Sequence, residues 1–124
     1  MIEIILATPE KIDEICSNLK FESKPSLKIY AAYENDKDKE LGCCGFELNG
    51  KIGRLYFTEI REVNLKFIED GLLRSTLALM YDSGVEIVTC NGGVDLKILK
   101  KLGFKEKDGE FSLSLNDSFL TRNC

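Results

Sequence analysis

Near the C-terminus of this chain runs Val85-Glu86-Ile87-Val88-Thr89-Cys90, then Val94 to Leu102, then Gly103-Phe104. An apolar, β-branched run of this kind is a buried strand. Val94, Ile98 and Leu102 recur at i, i+4 and i+8, which places them on one helix face, with Asp95, Lys97, Lys100 and Lys101 away from it. Gly103 stands where a helix end needs a left-handed residue. Phe104 is positioned to fold back onto Leu99 as the apolar partner of that cap. A strand joined this closely to a capped helix commits the segment to a sheet with a helix packed on it.

The preceding sequence extends that sheet. Ile2 to Leu6 reads as a first strand. Thr8 is a good N-cap and Pro9 suits the first helical position, although Lys11 stands where a capping box needs Glu or Gln. Ile12, Ile15, Cys16 and Leu19 form the apolar stripe of that helix, and Ser23 to Ser26 is a connector. Leu27, Ile29, Ala31 and Tyr33 then alternate with Lys28, Tyr30, Ala32 and Glu34 as a strand. Asn35 to Lys39 is a polar turn. Leu41 to Leu48 is the next strand, in which Gly42 and Gly45 are bulge signals. Asn49-Gly50 predicts a type I′ hairpin turn with positive φ at both central residues, and Ile52 to Ile60 returns.

A long helix follows over Lys66 to Asp82. Ile68, Leu72, Leu73, Leu77, Leu79 and Met80 leave it little polar surface, and Gly84 ends it. After the Val85–Cys90 strand and the short helix, Lys105 to Leu115 closes as a hairpin around Asp108-Gly109. The order is β-α-βββ-α-β-α-ββ. A strand, long helix, strand unit inside an antiparallel sheet requires one parallel pair with a right-handed crossover. The fold class is therefore α/β (α+β): a mixed, mostly antiparallel twisted sheet with a central parallel pair and about three helices. With 124 residues and no repeat or linker, residues 1–124 read as one domain.

The composition excludes several functions. No apolar run approaches the roughly 20 residues of a membrane span, so no membrane partner is expected. The N-terminus, Met1-Ile2-Glu3, lacks a basic leader, and a cytoplasmic location is expected by default. The net charge is −4, and no Lys/Arg block exists beyond Lys97, Lys100 and Lys101, so nucleic acid is not an expected partner. A mildly acidic surface favours a basic partner such as an amine. Five cysteines at 16, 43, 44, 90 and 124, with no C-x-x-C spacing, read as free thiols. Cys43 and Cys44 are consecutive in a strand and should face opposite ways. There is no histidine. That removes Ser-His-Asp and Cys-His catalysis and the commonest metal ligand, and no metal is expected. Proton transfer must use Glu, Asp, Tyr, Lys, Cys or water.

The run Leu99-Lys100-Lys101-Leu102-Gly103-Phe104 resembles the "klGF" signature that closes the last helix of the GNAT (Gcn5-related N-acetyltransferase) superfamily. The element order is similar to that family's, less one of its usual two helices after the first strand. The resemblance implies an acyl-CoA-dependent N-acyltransferase. It would transfer an acetyl group from acetyl-CoA, as cosubstrate, to an amine of a small molecule or peptide. The alternative is a non-catalytic GNAT-like module that binds acyl-CoA or another ligand, or serves as a protein-interaction or dimerisation domain. A homodimer is compatible with the resemblance.

The resemblance also assigns candidate residues. The family's acyl-CoA loop, patterned Q/R-x-x-G-x-G/A before the long helix, aims backbone N–H groups at the pyrophosphate. Aligning Leu72-Leu73 with the family's paired leucines puts Asn64 at the Q/R position, Phe67 at the first glycine and Glu69 at the second. All three depart from the pattern, and Gly71 falls too late to restore it. The candidate cofactor-binding residues are thus Ile60, Asn64, Lys66, Phe67, Ile68, Glu69, Asp70 and Gly71, with Asn91 near the start of the last helix. Glu69 and Asp70 complement the helix dipole but oppose a pyrophosphate; Lys66, Arg61 and Arg74 would offset them if they converged there. The family's general acid, a Tyr in the last helix, is replaced by Leu99. Glu59 is the candidate general base, though a solvated strand-end carboxylate is the commoner case. Tyr56 is a weaker acid candidate. Cys90 is a candidate nucleophile without a histidine to activate it, and an unreactive buried thiol is the commoner case.

Overall fold

The structure, a computed structural model, describes residues 2–34 and 40–115. The Asn35–Lys39 turn lies outside them, as does the tail with Phe119, Leu120 and Cys124. The elements are β1 (Ile2–Leu6), α1 (Pro9–Leu19), β2 (Leu27–Glu34), β3 (Glu40–Asn49), β4 (Ile52–Ile60), a 3-10 turn (Val63–Leu65), α2 (Phe67–Asp82), β5 (Ile87–Cys90), α3 (Leu96–Leu102), β6 (Lys105–Lys107) and β7 (Glu110–Ser114). They form one seven-stranded sheet in the order β1-β2-β3-β4-β5-β7-β6. Each pairing is antiparallel except β4 with β5, which run parallel from Ile52 opposite Ile87 to Leu55 opposite Cys90. The mixed sheet with one parallel pair and three helices is the architecture expected from the sequence.

Strand alternation divides the side chains between two cores. One holds Phe46, Leu55, Val88 and Cys90 of the strands with Leu72, Leu73, Leu77 and Met80 of α2 and Leu99 and Leu102 of α3. The other holds Ile29, Ala31, Tyr33 and Phe57 with Ile15 and Cys16 of α1. Each fully buried leucine of α2 contributes roughly 1.5–3 kcal/mol by leaving water. Cys43 belongs to the α1 core and Cys44 to the α2 core, the opposite facing that consecutive strand residues require. Burial pushes the Cys44 thiol up to about 12 and moves the Cys43 thiol in the same direction. Both behave as small hydrophobes.

Local capping follows the sequence closely. Thr8 accepts the Lys11 N–H at 3.3 Å. Gly103 has φ +102, and the Phe104 N–H donates to the Leu99 carbonyl at 2.9 Å, closing the end of α3. Asp108 and Gly109 both have positive φ, as the turn between β6 and β7 requires.

Three expectations need correction. The β3–β4 turn is not centred on Asn49-Gly50. Asn49 is the last residue of β3, paired with Ile52, and the two loop residues are Gly50 and Lys51. Only Gly50 is left-handed, which is the type II′ requirement. The last helix begins at Leu96, because Asp95 accepts the Lys97 N–H at 2.7 Å as N-cap and halts it there. Val94 therefore precedes the helix, although it is still buried. Likewise, β5 begins at Ile87, after Val85.

One irregularity positions everything that follows. Leu55 pairs with Phe46 and Phe57 pairs with Gly45, so Tyr56 is an extra residue in β4. Leu55 lies in the α2 core, whereas Phe57 lies in the α1 core with Tyr56 packed against it. In a regular strand, residues two apart share a face; the bulge reverses the alternation. Gly45 makes room for it, since a Cβ there would sit 2.4 Å from the Phe57 ring. Beyond the bulge, Thr58 and Ile60 turn to the α2 face, and Glu59 shares the α1 face.

Candidate active site

The parallel pairing stops at Leu55 and Cys90, where β5 ends, and β4 continues to Ile60 paired with β3 on its other side. The loop Asn91-Gly92-Gly93 follows β5. The Thr58 N–H donates to the Gly93 carbonyl at 2.9 Å. Gly93 has φ +77, and a Cβ on it would fall 2.1 Å from the Tyr56 carbonyl oxygen. Only glycine can lie this close to the bulge. The loop thus occupies the outer edge of β4 just past Tyr56.

The N-termini of α2 and α3 flank this loop. Lys66, the N-cap of α2, donates to Asp95 Oδ2 at 3.0 Å, and Asp95 is the N-cap of α3. The bridge holds Lys66 charged beyond its ordinary range and Asp95 below its own. Glu69 is 4% exposed. Its Oε2 accepts the Thr58 hydroxyl at 2.5 Å, while Oε1 has no hydrogen bond and lies 3.7 Å from Lys66 Nζ. The Glu69 N–H turns back to the Lys66 carbonyl at 3.0 Å. Those of Phe67 and Ile68 have no acceptor within the helix.

The basic residues that would offset these acids are each held by an acid of the chain. Arg61 binds Glu40 at 2.6 Å, Arg74 binds Asp70 at 2.7 Å, and Lys66 binds Asp95. Asn64 and Phe67 are exposed, and Gly71 packs toward Ile4. Val63, Phe67 and Leu96 are large apolar residues left exposed beside the two helix starts.

The catalytic candidates divide between the faces. Cys90 is fully buried in the α2 core, and its Sγ donates to the Gly92 carbonyl at 3.3 Å. Burial, the largest influence, pushes its thiol pKa up, so it lacks the thiolate character a nucleophile needs. Tyr56 and Glu59 lie on the α1 face. Glu59 is exposed. The Tyr56 hydroxyl donates to Glu47 Oε1 at 2.7 Å and accepts from Lys24 Nζ at 2.8 Å. Leu99, at the position of the family's acid, is fully buried and has no proton to give.

The arrangement has known counterparts. No protein-family model matches the chain, and no curated protein matches it in sequence. Solved structures do match. A solution structure of the E. coli putative N-acetyl transferase YhhK bound to coenzyme A superposes with TM-score 0.68 at 18% identity, covering 93% of this chain and 99% of that one. A Brucella melitensis GNAT family acetyltransferase in complex with acetyl-CoA gives 0.69 at 18%, over 94% and 89%. The E. coli ribosomal-protein-S18-alanine N-acetyltransferase gives 0.72 at 12%, over 94% and 95%. This chain has the GNAT fold.

The N–H groups of Phe67 and Ile68 and the charge of Lys66 suit an anion at the start of α2. Glu69 and Asp70 oppose one. The Gly92-Gly93 loop covers the outer edge of β4 past Tyr56. Among the described residues, no group of His, Cys, Asp and Glu is placed to hold a metal, and no helix is long and apolar enough to cross a membrane. Sequence reasoning missed Thr58, Gly93 and Asp95, which make the closure, and Glu47 and Lys24, which hold Tyr56. The Gly92-Gly93 pair was the one available signal.

Proposed function

We propose that the chain is an acyl-CoA-dependent N-acyltransferase, transferring an acetyl group from acetyl-CoA to an amine of a small molecule or peptide. The observation that carries this reading is the bulge at Tyr56. It falls where the parallel pairing of β4 with β5 stops, at Leu55 and Cys90, and beyond it the Gly92-Gly93 loop takes the place of β5 beside β4. Structural neighbours of the same fold are described in complex with coenzyme A and acetyl-CoA.

The closed loop does not oppose this reading energetically. Opening it breaks one backbone hydrogen bond, worth about 0.5–1.5 kcal/mol, the weaker bond of the Cys90 thiol to the Gly92 carbonyl, and one exposed ion pair, worth about 0–1 kcal/mol. A ligand of micromolar affinity brings about 8 kcal/mol. Gly92 and Gly93 supply the backbone freedom for the movement. With the loop displaced, the Thr58 N–H is freed at the edge of β4 and can polarise a thioester carbonyl. Glu59, exposed on the α1 face, or a water takes the proton of the attacking amine.

A second reading, a GNAT-fold module that binds a ligand without turnover, is favoured by Leu99 at the acid position and by the buried Glu69 carboxylate. Calorimetric titration with acetyl-CoA, followed by mass-spectrometric assay against an amine library, separates the two. Binding with acylated product supports the enzyme. Binding without product for any amine supports the module. No binding at millimolar acetyl-CoA overturns the enzyme and leaves the module reading only with a ligand other than acetyl-CoA.

A further inference from the structure

On the α1 face, three segments converge on one ammonium group, that of Lys24. The segment after α1 brings Lys24 and Ser26, β3 brings Glu47, and the β4 bulge brings Tyr56. Lys24 Nζ donates to the Tyr56 hydroxyl oxygen at 2.8 Å, stands 3.7 Å from Glu47 Oε1 and lies 4.6 Å from the centroid of the Tyr56 ring. The Tyr56 hydroxyl in turn donates to Glu47 Oε1 at 2.7 Å, and Ser26 donates to Glu47 Oε2. The Tyr56 ring is braced by Phe21, with centroids 5.6 Å apart.

These are the three elements that recognise a primary ammonium: a carboxylate, a neutral oxygen acceptor and an aromatic face. The carboxylate and the phenol are fixed by each other and by Ser26, so they stay in place when the cation leaves. Lys24 does not need to stay. Its side chain is 43% exposed and that of Glu47 is 21% exposed, so a solute can reach the cradle. Beside it is a pocket of about 410 Å³ with Ile12, Asp13, Ser23 and Leu27 in its wall, and Lys24 forms part of that wall too. Leu27 is the register partner of Glu47, so pocket and cradle adjoin across β2 and β3.

We propose that Glu47, Tyr56 and Ser26 form a binding site for an unbranched primary alkylammonium group, and that Lys24 is an intramolecular occupant which a ligand displaces. As a binding site this stands apart from acyl transfer; as the acceptor site it rests on the acyltransferase reading. The chemistry it selects is an amine on a flexible methylene chain, such as a lysine side chain or an alkyl diamine. The acidic balance of the chain favours the approach of such cations.

The test is binding of n-butylammonium, the Lys24 side chain as a free solute, followed by backbone amide shifts with no acyl donor present. In Lys24→Ala the shifts at Ser26, Glu47 and Tyr56 should saturate at a concentration at least about tenfold lower than in the wild-type chain, because the tethered competitor is gone. Adding Glu47→Gln to Lys24→Ala should abolish saturation, and n-butanol should produce no saturable shift. Tyr56→Phe in the Lys24→Ala chain should weaken binding while keeping the ring. Equal midpoints in wild type and Lys24→Ala overturn the proposal. So does saturation that survives Glu47→Gln, or a Lys24→Ala chain that is folded elsewhere but binds nothing. Acetyl-CoA titration of the wild-type chain reports on the acyl-donor reading separately, so failure of one is distinguishable from failure of the other.

Discussion

Thr58 and Glu69 join the β4 bulge to the first turn of α2: the Thr58 hydroxyl donates to Glu69 Oε2 at 2.5 Å in a buried setting. It is the single hydrogen bond made by a carboxylate that is almost fully out of water, because Oε1 has none. Thr58→Val keeps the shape and removes the donor. A buried charged acceptor left unpaired costs about 1–3 kcal/mol or more, so the variant should lose that much stability in urea unfolding. A loss below about 0.5 kcal/mol would show that Glu69 finds another partner.

The same carboxylate bears on any anion at this helix start. Glu69 stands at the third position of α2. Glu69→Gln removes a charge and keeps an acceptor for Thr58. If CoA binds at this helix start, its dissociation constant should fall by about fivefold or more, since like charges a few ångströms apart repel by at least about 1 kcal/mol. The gain should shrink with added salt. Calorimetry at low and high salt measures both. Unchanged affinity at low salt would place the pyrophosphate elsewhere.

Gly93→Ala tests the closure itself. The added Cβ would meet the Tyr56 carbonyl at 2.1 Å on a residue with φ +77, so the loop must leave β4. Such strain is worth about 1–3 kcal/mol. The Thr58 amide, now bonded to the Gly93 carbonyl, should exchange with solvent at least about tenfold faster. Protection that is unaltered would mean that the loop accommodates the methyl while staying closed.

Where an element rests on periodicity, its chemistry is visible in the sequence. The stripe of α1, the apolar α2 and the Gly103 cap were legible because each is a local pattern with a local cause. The turn after β3 was displaced by one residue because Gly50 satisfies a type II′ turn as well as a type I′ one. The site was less legible because its determinants are tertiary. Leu55-Tyr56-Phe57 carries no bulge signal of its own; the signal was Gly45 on the neighbouring strand, and the register shift does fall there, but which β4 residue is the extra one depends on packing. Glu69 looks like a dipole-complementing residue; only its packing under Thr58 makes it a buried carboxylate. Arg61 and Arg74 were candidate phosphate partners until Glu40 and Asp70 were seen to hold them.

The cradle on the α1 face has a pH signature. The Ser26 hydroxyl, then the Tyr56 hydroxyl and the Lys24 charge, hold the Glu47 carboxyl below its ordinary range. A carboxyl depressed in the folded state stabilises that state above its unfolded pKa, about 4.3 for Glu. The contribution is lost as pH falls through the lower, folded value. Lys24 is shifted up, chiefly by its bond to Tyr56. Its contribution is complete below the ordinary lysine value and is lost only as pH rises through the folded one. Between about pH 5 and pH 9 neither group should change the stability of the chain. Below about pH 4.3 the wild-type chain should lose stability more steeply than Glu47→Gln, which has no carboxyl to protonate there. Urea midpoints from about pH 7 down to about pH 3 for both chains measure the difference in slope. Parallel profiles would mean that the Ser26–Glu47–Tyr56 contacts do not persist in solution.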